Sequence, residues 1–326
     1  PRGGDDTRSW GPPFVTGEDG EPTDLSAYFM SANRNKLSVA VDIASENGQD
    51  IVKALAREAD VIIENFKPGG LVKYGLDAET MCAANPRLIY CSISGYGQDG
   101  PKAGAPAYDG AIQAASGMMS VTGHPETGPM RTGYTVVDMS TAVTAAFAIS
   151  AALHRRRDTG LGQRLDVAMM DTAMWMQMPL MVSHMVAGEE FKLNGNNSPV
   201  MTPTSNVFPA ADGYLQITGL TEAHRAAMVE AMELDAADPR LASVKAMSDH
   251  HDAVRDLFVE AMRKKSLAYW LEQLTERKVP HAPIRDFADV VVDPQLGHRG
   301  ILVDAPMPAG AAGDDATVGL LGAAYI

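Results

Sequence analysis

The 326-residue chain carries 41 acidic against 27 basic side chains, a formal charge of −14 at pH 7, with 45% hydrophobic residues, 30 Gly and 20 Pro. That length exceeds the usual size of one core, so two domains are expected, and the negative balance repels phosphate backbones and argues against nucleic acid as a partner. Two cysteines, Cys82 and Cys91, are too few and too close for a disulfide framework and lack His or Cys partners at zinc spacing, which fits a reducing cytoplasm and no metal site.

The chain opens on the polar run Pro1-Arg2-Gly3-Gly4-Asp5-Asp6-Thr7-Arg8, without initiator Met or signal-peptide pattern, and reads as cut short of a natural start. Ser38 to Val41 is a short strand candidate. Gly48 to Glu58 places Ile51, Leu55 and Ala59 at helical spacing, Asp60 to Glu64 holds the β-branched run Val61-Ile62-Ile63, Ala78 to Ala84 is a helix ended by Asn85-Pro86, and Leu88 to Ser94 is a strand. Strand alternating with helix predicts α/β architecture with a doubly wound parallel sheet, in which ligands sit beyond the carboxyl ends of the strands. Asn65-Phe66-Lys67-Pro68-Gly69-Gly70 lies at one such end and Ser94-Gly95-Tyr96-Gly97 at the next. Phe66 offers a face for a base, and Lys67 and Lys73 offer charge for phosphates.

Asp138 closes the run Gly133-Tyr134-Thr135-Val136-Val137-Asp138 and opens the apolar, Ala-rich stretch Met139 to Leu153. There it reads as a helix N-cap, whose exposed backbone N–H groups keep the carboxylate anionic and available as a nucleophile. Asp171, which also precedes a helix, reads as a second N-cap. The stretch after Asp138 is interrupted by Ser140, Thr141 and Thr144 and ended by His154-Arg155-Arg156-Arg157, so no window of bilayer-spanning length and no membrane partner are expected.

Gly160-Leu161-Gly162-Gln163 is a turn into the strand Arg164 to Met169. A Met-rich helix runs from Asp171 to about Ala187, and its all-round apolarity suggests burial against a partner. Gly188 to Thr204 reads as a linker or lid. Beyond it come the strand Tyr214 to Thr218, helices near Glu222 to Met232, His251 to Met262 and Leu267 to Glu276, and a strand-rich end from Ile301. The predicted organisation is a large domain over 1–187, a linker over 188–204, a small α+β domain over 205–283 and a return to the large domain over 284–326. The histidines show no HxxxH or HxH ligand spacing.

Seven segments in order, Asn33-Arg34-Asn35-Lys36-Leu37-Ser38, Glu64-Asn65-Phe66-Lys67-Pro68-Gly69, Asn85-Pro86-Arg87-Leu88-Ile89-Tyr90, Ser94-Gly95-Tyr96-Gly97, Tyr108-Asp109, Thr159-Gly160-Leu161-Gly162-Gln163 and Asp293-Pro294-Gln295, resemble the signatures of the family III CoA-transferases, the CaiB/BaiF family. The resemblance implies a Rossmann-like large domain, an interlocked homodimer, and transfer of CoA from an acyl-CoA to a free carboxylic acid through an aspartyl nucleophile, which falls on Asp138. It places CoA contacts at Asn65, Phe66 and Lys67, with Lys73 and Val41 as weaker matches and Tyr108 and Asp109 lining the pocket. CoA and acyl-CoA are substrates, and no tightly bound cofactor is expected.

The same family includes α-methylacyl-CoA racemases, whose histidine position matches Tyr108. A tyrosine, ordinarily titrating near pH 10, is a poor partner for α-proton exchange, which favours the transferase. Family members begin with a strand and helix that this chain lacks, so a truncated, non-catalytic CoA-binding homologue is a further alternative. The Asn-rich run Asn194-Gly195-Asn196-Asn197-Ser198-Pro199 stands where formyl-CoA transferase has a glycine lid, making formyl-CoA and oxalate poor guesses. Acyl specificity is expected around Tyr108, Met118, Met119 and this run.

Overall fold

The computed structural model describes residues 4–197, 202–306 and 317–322; Pro1, Arg2, Gly3 and the Ser198-Pro199 end of the Asn-rich run lie outside the described residues. Two compact units emerge, residues 1–42 with 284–326, and residues 43–283.

In the first unit, β1 (Phe14–Thr16) and β2 (Pro22–Ser26) pair antiparallel and lead into α1 (Ala27–Ala32), which Ser26 caps through its hydroxyl. The strand expected at Ser38 to Val41 does not form. That segment joins no ladder, and Leu37 and Val39 are 98% and 65% exposed, because an apolar run becomes a strand only where a neighbour completes its hydrogen bonds.

The second unit is built on α2 (Glu46–Glu58), β3 (Val61–Glu64), α3 (Ala78–Ala84) and β4 (Ile89–Ser94), capped at the helices by Ser45 and Asp77. The chain continues through α4 (Asp109–Ala115), the single turn α5 (Met118–Val121) and the hairpin of β5 (Gly123–His124) and β6 (Gly128–Pro129). It then enters α6 (Val136–Thr159), β7 (Arg164–Ala168), α7 (Met169–Met176) and α8 (Met178–Ala187). Strands β3, β4 and β7 form a parallel sheet in that order, with Val61 opposite Ile89 and Tyr90 opposite Arg164. Alternation along the central strand sorts the layers. Tyr90 joins Ala56 and Met81 of α2 and α3 on one face, and Cys91 joins Ala145 of α6 and Val167 on the other. The expected stripe on α2 is turned outward. Gly48 and Ala56 are buried, whereas Ile51 and Leu55 are about half exposed, since this short sheet offers α2 no second surface to cover.

The expectation of no bilayer-length window is also corrected. By length and composition alone, α6 is long and apolar enough to cross a membrane. The Ser140 and Thr144 hydroxyls do not interrupt it, because each donates back to the carbonyl four residues earlier, Val136 and Ser140, and so satisfies itself inside the helix. In this structure α6 packs on β4, β7, α4 and α7, as a helix covering a sheet does. The single Met-rich helix is in fact two, broken at Gln177 just before Pro179.

Beyond a linker, β8 (Ser205–Pro209), β9 (Tyr214–Thr218) and β10 (His281–Pro283) form an antiparallel sheet in the order β10-β9-β8. It packs with α9 (Glu222–Ala231), α10 (Val244–Asp249), α11 (His251–Met262) and α12 (Leu267–Glu276) around a core holding Phe208, Ile217, Met228, Phe258, Trp270 and Leu274. Strand β8, with two apolar residues between polar ones, carried no strand signal of its own. Back in the first unit, α13 (Phe287–Val291) and α14 (Pro294–Arg299), capped by Asp286 and Asp293, precede the antiparallel pair β11 (Leu302–Pro306) and β12 (Thr317–Leu321).

Candidate active site

The parallel sheet gathers its carboxyl ends on one side. Helix α6 runs back antiparallel to β7 through the turn at Gly160 to Gln163, so the amino end of α6 lies on the same side as the ends of β3 and β4. Asp138 sits there, but not as the N-cap. Helix α6 begins at Val136, Thr135 holds the cap position without a side-chain hydrogen bond, and Asp138 is the third helical residue. The N–H groups expected to stabilise its carboxylate are taken by another. Asp109 Oδ2 accepts from the Val137 N–H at 2.7 Å and from the Asp138 N–H at 3.1 Å. A carboxylate 29 residues upstream thus caps the helix, a partner no local sequence pattern reveals.

The electrostatics follow. The Asp138 carboxyl is pushed above its usual range, first by burial and then by the neighbouring Asp109 carboxylate. The expectation that the helix end favours the anion is therefore corrected: with Asp109 on the N–H groups, Asp138 meets a negative charge where a bare helix would present a positive end. The resulting carboxylate is less well solvated and more basic, as an attacking group needs to be.

Of the two neighbours Tyr108 and Asp109, Asp109 is brought against Asp138. Tyr108 caps the backbone end of α4 and is 77% exposed, while Asp109, the first residue of α4, is 7% exposed. The second cluster is local to β3. Exposed Asn65 and Lys67 and half-exposed Phe66 follow its last residue, and the Phe66 N–H donates to the Glu64 carboxylate at 2.8 Å. Lys73, in the next turn, lies over the Tyr74 ring at 4.7 Å. Val41 belongs to the first unit. Lys67 lines a cleft of about 270 Å³ with Arg164, Gln98 and Ser92, where three carboxylates, Glu64, Asp77 and Glu79, share the wall with the two cations. Asp171 is exposed at the third position of α7, and Ala168 holds the cap there, so the second N-cap reading fails for the same reason as the first. Met118 is buried at the start of α5. Gly195 of the Asn-rich run donates its N–H to the Gly123 carbonyl and packs so close to the His124 ring that an added Cβ would lie 2.5 Å from Nδ1. Sequence reasoning missed Gln113, which holds Asp109 from behind, and Thr132, which holds Gln113; a Gln one helical turn after Asp109 was the available signal.

A parallel sheet with a half-buried aspartate in the first turn of a helix on its carboxyl side is an α/β arrangement that can present a carboxylate to a ligand. The chain belongs to CoA-transferase family III, whose pattern matches residues 1–319. It is a CoA-transferase, acting between an acyl-CoA and a carboxylic acid. Among its relatives, the succinate–glutarate CoA-transferase of Agrobacterium fabrum is 38% identical over 306 residues, 93% of this chain and 76% of that protein. The acetyl-CoA:oxalate CoA-transferase of Acetobacter aceti is 35% identical over 93% of this chain and 76% of its own length. A crystal structure of a CaiB/BaiF family protein from Brucella suis superposes with a TM-score of 0.82 at 35% identity, covering 96% of this chain and 85% of that one.

Proposed function

We propose that Asp138 is the covalent nucleophile and that the acceptor is a small dicarboxylic acid. The observation that carries this is a half-buried, basic aspartate at the carboxyl edge of the sheet in a chain of this family. An Asp138 oxygen attacks the thioester carbonyl, the C–S bond breaks, and an acyl-aspartyl anhydride and CoA thiolate result. The thiolate attacks the aspartyl carbonyl and expels the donor acid, leaving an aspartyl-CoA thioester. The acceptor carboxylate displaces the thiolate to form a second anhydride. Return of the thiolate to the acceptor acyl carbon frees Asp138 and the new acyl-CoA, with no net movement of protons.

Asn65, Phe66, Lys67 and Lys73 hold the nucleotide end of CoA, with Tyr108 toward the thioester. The parallel-sheet part of the second unit is Rossmann-like and doubly wound. Two chains interlock as a homodimer in the cytoplasm. Support for the dimer comes from Met139, Val143 and Phe147, spaced four apart on α6 and 61–75% exposed, and from Trp175, Met185 and Val186 at 69–81%, large apolar side chains that a second copy would cover. Two free cysteines support the compartment.

The two relatives act on succinate, glutarate and oxalate by name, all dicarboxylates, which supports the acceptor class. The test is a panel of succinyl-CoA and acetyl-CoA donors against mono- and dicarboxylates, read by the mass of the new thioester. A C4 or C5 dicarboxylate is expected to be the best acceptor, with exchange lost in Asp138→Ala. Preference for a monocarboxylate would contradict the acceptor class, and exchange persisting in Asp138→Ala would contradict the nucleophile. Oxalate in the same panel tests the expectation drawn from the Asn-rich run.

A further inference from the structure

Asp109 is 7% exposed and spends both oxygens on the protein. Oδ2 accepts the two first-turn N–H groups of α6, and Oδ1 accepts from Gln113 Nε2, one helical turn further along α4. Gln113 is 1% exposed. Its Oε1 accepts from the Thr132 N–H at 3.0 Å, its Nε2 also donates to Thr132 Oγ1 at 3.0 Å, and that hydroxyl donates to the Tyr134 carbonyl at 2.7 Å. The network ties α4, the loop entering α6 and the first turn of α6 into one hydrogen-bonded body. With both oxygens engaged and little surface open, Asp109 is poorly placed to touch CoA.

We propose that Asp109 is a positioning residue: by holding the Val137 and Asp138 N–H groups and being held by Gln113, it fixes where the Asp138 carboxylate points, and does not itself bind CoA. The inference rests on the reading of Asp138 as nucleophile. Pinning the backbone of the attacking residue fixes its Cα–Cβ direction, and a misplacement of about 1 Å at the attacking atom costs about 10²-fold in rate. The second carboxylate also keeps Asp138 basic. Burial and Asp109 are the causes of its shift; Tyr90 and Cys91 on β4, Arg164 and Asp166 on β7, Asp171 on α7 and Tyr108 beside α4 are not among them.

The test is Asp109→Asn in the full chain, with kcat, KM for acyl-CoA, the pH profile of kcat and rapid trapping of the aspartyl-CoA thioester by mass spectrometry. The amide cannot serve the α6 N–H groups and Gln113 Nε2 at once. The expected result is kcat lower by about 10- to 100-fold, KM within about threefold of wild type, and the acid limb of kcat moved to lower pH because the neighbouring charge is gone. A raised KM with unchanged kcat would make Asp109 a CoA contact and overturn the proposal, as would an unmoved kcat or acid limb. If Asp109→Asn fails to fold, Gln113→Leu decides. It frees one side of Asp109 while leaving its bonds to α6, so a smaller fall in kcat at constant KM is expected, and an unchanged kcat overturns the proposal. Trapping separates the two readings: no adduct on Asp138 in the wild type sinks the nucleophile itself. An adduct formed on Asp138 as fast in Asp109→Asn as in the wild type sinks only the positioning role.

Discussion

Asp138 titrates beside a second carboxylate, and the sign of that coupling reaches stability as well as rate. Its folded-state proton affinity is raised above that of the unfolded chain, first by burial and then by Asp109. The contribution to stability is therefore fully present below the ordinary aspartate range and lost as pH rises through the raised value, so the ionised side chain costs stability at neutral pH. Asp138→Asn, a neutral isostere, is expected to raise the melting temperature by about 1–3 °C near pH 7, with the gain shrinking as pH falls toward the ordinary aspartate range. Paired thermal melts across that window check it; a variant less stable than the wild type at neutral pH contradicts the electrostatics. The residue's place in the first turn of α6 was legible from the apolar stretch it precedes. Its surroundings were not, because the group that caps α6 comes from α4, and a contact made across 29 residues leaves no mark in local spacing.

Among the elements, the turn from α6 into β7 shows why two glycines stand where they do. Gly160 ends the helix in the left-handed region at φ 72°, and Gly162 donates to the Pro86 carbonyl while passing so near β4 that an added Cβ would lie 2.0 Å from the Leu88 carbonyl oxygen. Backbone on backbone cannot swing aside. Gly162→Ala is expected to cost about 2–4 kcal/mol, seen as a lower denaturation midpoint at unchanged slope. Gly104→Ala, where nothing lies within 4 Å of the added atom, is expected to leave the midpoint in place. Equal midpoints for the two variants would contradict the close approach. Segments with strong period and clean punctuation were readable, as with the helices Ala78–Ala84, His251–Met262 and Leu267–Glu276 and the strand Tyr214–Thr218. Ser38 to Val41 and the stripe Ile51 and Leu55 were misread because apolar pattern records a capacity for burial, and tertiary neighbours decide whether it is used.

For the whole molecule, the apolar surface on α6, α7 and α8 is the feature a second copy would cover. With that assembly, light scattering at micromolar concentration is expected to give the mass of a dimer, and Phe147→Glu combined with Trp175→Glu to give monomer or aggregate; a monomeric wild type would contradict it. The parallel pairing of the sheet was foreshadowed by alternating strand and helix, whereas the division into residues 1–42 with 284–326 and residues 43–283 arises from contacts between distant segments that no single stretch announces. The central claim is that CoA passes through one side chain. Incubating the protein with succinyl-CoA and no acceptor, reducing with borohydride and mapping the peptides by mass spectrometry tests it most directly. Modification confined to the peptide at Asp138, and absent from Asp138→Asn, is the predicted result; an unmodified Asp138 in protein that still exchanges CoA would contradict it.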